Sequence, residues 1–133
     1  MIKLASIAIV TVAISTTALA QSAAKINQTI PANSATVTNW YKQSVYDPKD
    51  SKIGDIADVL VDKSGRIDSL IVAVGGFLGA GEKDVSVPFD AVRVTSKDNN
   101  KWYLVMNTTK DQMKDAPSFT YDKDTTSWVP NKK

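Results

Sequence analysis

Residues 53–89 read IGDIADVLVDKSGRIDSLIVAVGGFLGAGEKDVSVPF, and this stretch decides the fold. Two runs rich in Ile, Val and Leu, at 53–61 and 67–74, flank the turn sequence DKSG, whose Gly65 suits a positive φ. Both faces of the second run are apolar, which is typical of a central or barrel-lining strand. The stretch therefore predicts an antiparallel strand pair at the centre of a sheet.

The pattern of short strands and turns continues toward the C-terminus. Apolar and other residues alternate over 85–89, where Pro88 marks an edge, a bulge or a corner because it cannot donate to a ladder. The polar turn at 96–100 precedes a strict alternation over 102–106. Strands of this length and spacing predict an all-β barrel or sandwich and exclude a parallel α/β sheet.

One short helix is expected near the C-terminus. Residues 109–117, TKDQMKDAP, offer about two turns that end at Pro117. Either Thr108 or Thr109 is a suitable N-cap, and Asp111 or Gln112 could answer it at the third helical position.

The segments 53–62, 65–67 and 70–89, followed by Trp102 and residues 109–119, resemble the PRC-barrel family. The resemblance covers about residues 39–121. It implies a small, mostly antiparallel β-barrel of about six strands with one short C-terminal helix. It also implies a protein-interaction module, often a dimer, with no enzymatic activity attached to the fold.

The N-terminus has the layout of a secretory signal peptide. Lys3 precedes an uncharged run, and Ala18 and Ala20 occupy the −3 and −1 positions before Gln21. We expect cleavage after Ala20, export to the periplasm and no membrane insertion afterwards. The alternative is a retained membrane tether, for which the run is only just long enough.

These features divide the chain into four expected segments. These segments are a signal peptide at 1–20, a flexible leader at 21–38, the barrel at 39–121 and a C-terminal tail at 122–133.

Composition excludes several classes of chemistry. The 133 residues contain no Cys and no His, so thiol nucleophiles, Ser-His-Asp triads and Cys/His zinc sites are ruled out. The aspartates lack the spacing of a calcium loop, and no pair of carboxylates is singled out for catalysis. A net charge of +2 gives no nucleic-acid footprint. We predict no catalytic residue, no metal and no cofactor.

A glycine-rich loop is the candidate contact with a protein partner. Its residues are Gly76, Phe77, Leu78, Gly79, Gly81, Glu82 and Lys83. It fails as a phosphate-binding loop because Glu82 stands where the motif needs Lys, and because a strand follows instead of a helix. The two apolar side chains either form an exposed tip that a partner grips or fold back to plug the barrel end.

Two functions follow from this reading. The first is a non-catalytic periplasmic module that binds a protein partner, still unknown, or itself as a homodimer. The alternative is a binder of small ligands or envelope glycans that uses the barrel mouth and its aromatic side chains. Those aromatics are Trp40, Tyr41, Trp102, Tyr103 and Trp128.

Overall fold

The structure is a computed structural model that describes residues 8–13, 22–77, 81–98 and 101–132. The chain divides into two units, residues 1–32 and 33–133. The described part of the first unit is exposed and carries no helix or strand. Across the described ranges, no helix combines the length and the apolar character needed to cross a membrane. The predicted cleavage residues Ala18, Ala20 and Gln21 lie outside the described residues.

The residues described in the second unit form a single mixed sheet of eight strands with one short helix. The strands are β1 (Ser44–Tyr46), β2 (Lys52–Val61), β3 (Ile67–Phe77), β4 (Gly81–Pro88), β5 (Val92–Lys97), β6 (Lys101–Met106), β7 (Phe119–Asp122) and β8 (Ser127–Pro130). The helix α1 spans Lys110–Met113, and 3₁₀ turns span Val37–Asn39 and Phe89–Ala91. The order across the sheet is β5-β6-β1-β2-β3-β4-β7-β8.

Six of the seven strand pairings are antiparallel, and β1 with β6 is the parallel one among the described residues. This confirms the predicted all-β, mostly antiparallel fold with one short helix. The structure has eight strands against the expected six or so, because β7 and β8 form a further hairpin near the C-terminus.

The β2–β3 hairpin forms where the sequence predicts it. Oδ1 of Asp62 accepts hydrogen bonds from the backbone N–H groups of Ser64 (2.8 Å) and Arg66 (3.1 Å). Gly65 adopts a φ of 84°. The aspartate thus organises the turn, and the glycine supplies a backbone conformation that other residues rarely adopt.

A glycine also sets how closely β2 and β3 approach. A Cβ atom on Gly54 would lie 2.1 Å from the carbonyl oxygen of Ala73. No rotamer change can relieve that overlap, because both partners are backbone or Cβ atoms. Gly54 is therefore required by the close approach of these two paired strands.

One hydrophobic core is built by all of the first six strands. Leu70, Val72 and Val74 on β3 point into it, as the alternation predicts. Further members come from β1, β2, β4, β5 and β6, from the segment that precedes β1, and from the helix α1. They are Trp40, Val45, Ile53, Ile56, Val85, Val87, Val92, Leu104, Met106 and Met113. A sheet whose strands share one core in this way curls around it, which is the arrangement of a small barrel.

The helix is shorter than predicted. It makes one turn rather than two, and Thr109, not Thr108, is its N-cap. The Oγ1 atom of Thr109 accepts from the N–H of Gln112, and the Gln112 side chain accepts from the N–H of Thr109. This capping box starts the helix, and the buried side chain of Met113 attaches it to the core.

Candidate functional site

The predicted glycine-rich loop lies at the tip of the β3–β4 hairpin. Phe77 pairs with Gly81, which has a φ of 64°. Leu78 and Gly79 lie outside the described residues, and only the backbone of Gly76 and Phe77 is described. Whether the two apolar side chains form a tip or a plug therefore stays a prediction.

The two charged residues of the loop have different surroundings. Glu82 is exposed, whereas Lys83 is half-buried. The ammonium of Lys83 donates hydrogen bonds of 2.5 Å to the carbonyl oxygen of Lys114 and 2.6 Å to that of Ala116. Lys83 thus fastens the segment after α1 to β4, and its charge is already engaged within the chain.

The C-terminal hairpin reaches the outer face of β2 and β3 through Trp128. Ile71 is fully buried, although it points away from the core that its neighbours Leu70 and Val72 enter. Its partner across the β2–β3 ladder is Asp58, so the two side chains share this outer face. Asp58 accepts a hydrogen bond from Trp128 of β8, which places the indole on the same face.

A small apolar groove opens beside this hairpin. Val37, Tyr41 and Val59 line it, together with Thr38 and Asp58, and its volume is about 280 Å³. Val37 is 58% exposed and Tyr41 is 45% exposed. A shallow apolar surface of this size suits a protein side chain better than a small molecule, whose pockets usually start near ~300 Å³ and enclose the ligand.

A larger groove runs along β1, β6 and the start of the β5–β6 turn. Its volume is about 460 Å³, and its walls include Gln43, Tyr46, Lys97, Trp102 and Tyr103. We call it the aromatic groove. It brings together Trp102 and Tyr103 of the predicted aromatics and adds Tyr46, which the sequence analysis missed.

The other predicted aromatics are placed elsewhere. Trp40 is in the core, where its ring lies 4.7 Å from that of Phe89. Tyr41 lines the apolar groove, and Trp128 is bound to Asp58. The five predicted aromatics are thus spread over the core, the apolar groove, the aromatic groove and the C-terminal hairpin, and they do not line one barrel mouth.

Tyr103 is the most constrained side chain of the aromatic groove. Its ring stacks on Tyr46 at 4.6 Å, and the ammonium of Lys97 lies 4.5 Å from its centroid. Its hydroxyl donates a 2.8 Å hydrogen bond to Asp50, which also pairs with Lys97 at 3.1 Å. Because three partners hold the Tyr103 side chain, it orders the junction of β1, β5 and β6.

The electrostatics of this junction follow from those contacts. Desolvation and the hydrogen bond to Asp50 raise the pKa of Tyr103 to about 12. The hydrogen bond from Tyr103 and the pairing with Lys97 lower the pKa of the Asp50 carboxyl. Both shifts favour the neutral phenol beside the ionised carboxylate.

No group of three or more acidic side chains is arranged to hold a metal ion within the described ranges. Asp47 is buried, and its carboxylate accepts from the N–H groups of Lys49 and Ser51. It organises the turn between β1 and β2 in the way that a structural aspartate does.

The comparison with protein families agrees with this architecture. The PRC-barrel domain matches residues 33–113, which include the first six strands and α1. No curated protein matches the chain. The curled sheet, the single core and the family match lead to one conclusion: this chain belongs to the PRC-barrel domain family.

Proposed function

We propose that the chain is a non-catalytic interaction module that is exported to the periplasm and binds a protein partner there. The observation that carries the proposal is the apolar groove, where Val37 and Tyr41 stay largely exposed on a well-packed barrel. Exposed apolar side chains gathered in one place are typical of protein-binding surfaces. Their burial by a partner would gain about 25 cal/mol for each Å² removed from water.

The absence of Cys and His from the chain supports a role without catalysis. Lys83 of the glycine-rich loop is already bound within the chain, which limits the residues through which this loop could contact a partner. Lys83 is held by two carbonyl groups, so a partner at the loop would contact Phe77, Leu78 or Glu82 instead.

The binding surface is tested by capture from a periplasmic extract. We expect the same partner to be recovered by the native protein and by Val94→Ser, a control at an exposed valine on β5. We expect recovery to be lost with Val37→Ser combined with Tyr41→Ser. Equal recovery by all three proteins rejects the groove, and Phe77→Ala with Leu78→Ala then tests the loop in the same way.

Export and self-association are tested separately. Protein recovered from the periplasm should begin at Gln21, whereas a chain that begins at Met1 would indicate a retained tether. Sedimentation of that protein at high micromolar concentration distinguishes a monomer from a homodimer. A dimer that the groove substitutions dissociate would make a second copy the partner.

A further inference from the structure

The aromatic groove presents a fixed indole to solvent. Trp102 is 37% exposed, and its ring meets buried Trp40 edge to face at 6.1 Å and 89°. Its backbone pairs with Ser96 on β5. Contact with a core side chain and a ladder position fix the indole, so little conformational entropy is lost when a ligand packs on it.

Tyr103 cannot serve as such a surface. Tyr46 stacks on its ring and the Lys97 ammonium also lies over it, so neither of its faces is free for a ligand. Tyr46 and Tyr103 are both half-buried, so Trp102 is the exposed aromatic side chain of this groove on which a flat ligand can pack. The apolar C–H face of a sugar ring fits an exposed indole, while the hydroxyl groups at the edge of the sugar stay free to form hydrogen bonds.

Side-chain amides stand next to this indole. Gln43 and Asn39 line a second pocket that adjoins the aromatic groove and shares Trp102 and Lys101 with it. The backbone of Gln43 is held by hydrogen bonds with Trp40 (3.1 Å) and Ile56 (2.9 Å), while its side chain is exposed. Each amide offers donors and an acceptor, which is the pattern that pairs with sugar hydroxyl groups.

The groove also carries surplus positive charge. Lys42, Lys97 and Lys101 line it with Asp50 and Asp98. Lys97 and Asp50 pair with each other, whereas neither Lys42 nor Lys101 forms an ion pair with a carboxylate that the structure describes. Lys101 is therefore placed to receive an anionic group beside Trp102.

We propose that the aromatic groove binds a saccharide that carries a carboxylate group. The sugar ring packs on Trp102, its hydroxyl groups bond with Gln43 and Asn39, and its carboxylate pairs with Lys101. This site is distinct from the apolar groove, so it stands or falls independently of the protein partner.

The ligand chemistry is tested by calorimetry with three probes: an oligogalacturonate, a neutral cello-oligosaccharide of the same length, and a polyglutamate of similar charge. We expect binding of the oligogalacturonate alone, weakened by added salt. Equal binding of the neutral sugar removes the carboxylate from the proposal. Equal binding of polyglutamate removes the sugar ring, and no binding of any probe overturns the site.

Two matched pairs of variants locate the site. Lys101→Ala should weaken oligogalacturonate binding about threefold to fivefold, as expected for a surface ion pair, whereas Lys123→Ala in the exposed β7–β8 turn should not. As a second readout, the change in tryptophan fluorescence on adding oligogalacturonate should persist in Trp128→Phe and vanish in Trp102→Phe. Equal effects within either pair would overturn the assignment, and the lysine pair remains informative if a tryptophan variant does not fold.

Discussion

The indole Nε1 of Trp128 donates a 2.8 Å hydrogen bond to Oδ2 of Asp58, 70 residues earlier in the chain. This bond joins the last strand to β2, although the sheet order separates the two by three other strands. Together with the pairing of β7 with β4, this bond attaches the C-terminal hairpin to the rest of the sheet, and Asp58 is the ladder partner of the buried Ile71.

Replacing Trp128 with Phe should destabilise the barrel by about 1–2 kcal/mol. The aromatic ring is kept, but the half-buried carboxylate of Asp58 loses a donor, and hydrogen bonds to charged groups contribute more than neutral ones. Urea unfolding measures the loss. Tyr121→Phe is the control, because it keeps the ring that packs on Trp128 and alters an exposed side chain. Equal stabilities of the two variants would show that the bond contributes nothing.

Gly54→Ala should be among the most damaging single-methyl additions in this chain. The new Cβ would overlap a backbone oxygen at 2.1 Å, so β2 and β3 must separate, at a cost of about 2–3 kcal/mol. At Gly75 the nearest atom to an added Cβ is a side-chain carbon of Glu82 at 3.8 Å. Gly75→Ala should therefore leave the unfolding midpoint nearly unchanged, and a similar loss in both variants would contradict the steric explanation.

Tyr103 should titrate apart from the other tyrosines. Its pKa of about 12 predicts that one component of the tyrosinate absorbance appears only in strong alkali and is absent in Tyr103→Phe. The folded pKa lies above the ordinary value of 10.0, so the stabilisation is complete below pH 10 and is lost as the pH rises toward 12. Across this pH range, the temperature of thermal unfolding should fall more steeply in the native protein than in Tyr103→Phe.

Asp50, which accepts the hydrogen bond from Tyr103, should affect the stability of the protein at the acid end of the pH range. The pKa of Asp50 is lowered, so its stabilisation is present above pH 3.8 and is lost as the pH falls through its folded value. Asp50→Asn should remove that part of the acid dependence. An unchanged acid profile in this variant would mean that the hydrogen bond from Tyr103 and the ion pair with Lys97 together make no net contribution.

The capping box gives a comparison between neighbouring threonines. Thr109→Ala removes the oxygen that accepts from the N–H of Gln112 and should cost about 1 kcal/mol. The hydroxyl of Thr108 only donates to the Gln112 side chain at 3.1 Å, so Thr108→Ala should cost less. The reverse order of stabilities in chemical denaturation would reject Thr109 as the cap.

Local patterns in the sequence predicted much of the barrel. The Asp62–Gly65 turn and the two apolar faces of β3 are encoded by neighbouring residues, through turn chemistry and a period of two. Pro88 likewise ends β4 at a corner, as expected. These features depend on short-range physics, and a single sequence contains that information.

Features that depend on distant contacts were missed. The parallel pairing of β1 with β6 brings Tyr46 to Tyr103, and a three-residue strand carries no pattern that could reveal it. The second helical turn is absent: the N–H groups of Lys114 and Ala116 donate to the carbonyl groups three residues back, of Asp111 and Met113, and the ammonium of Lys83 binds the carbonyl oxygens that follow the helix. The strands of the C-terminal hairpin were also missed, although alternation around Tyr121 was a weak signal for one of them.

The fastening of the C-terminal hairpin has a practical consequence for anyone who prepares the protein. The family match stops at residue 113, six residues before β7 begins. A fragment trimmed to that boundary would lose both the pairing of β7 with β4 and the bond of Trp128 to Asp58, and an unpaired strand edge promotes aggregation. Expression should therefore extend through Pro130, so that the edge of β4 keeps its native partner.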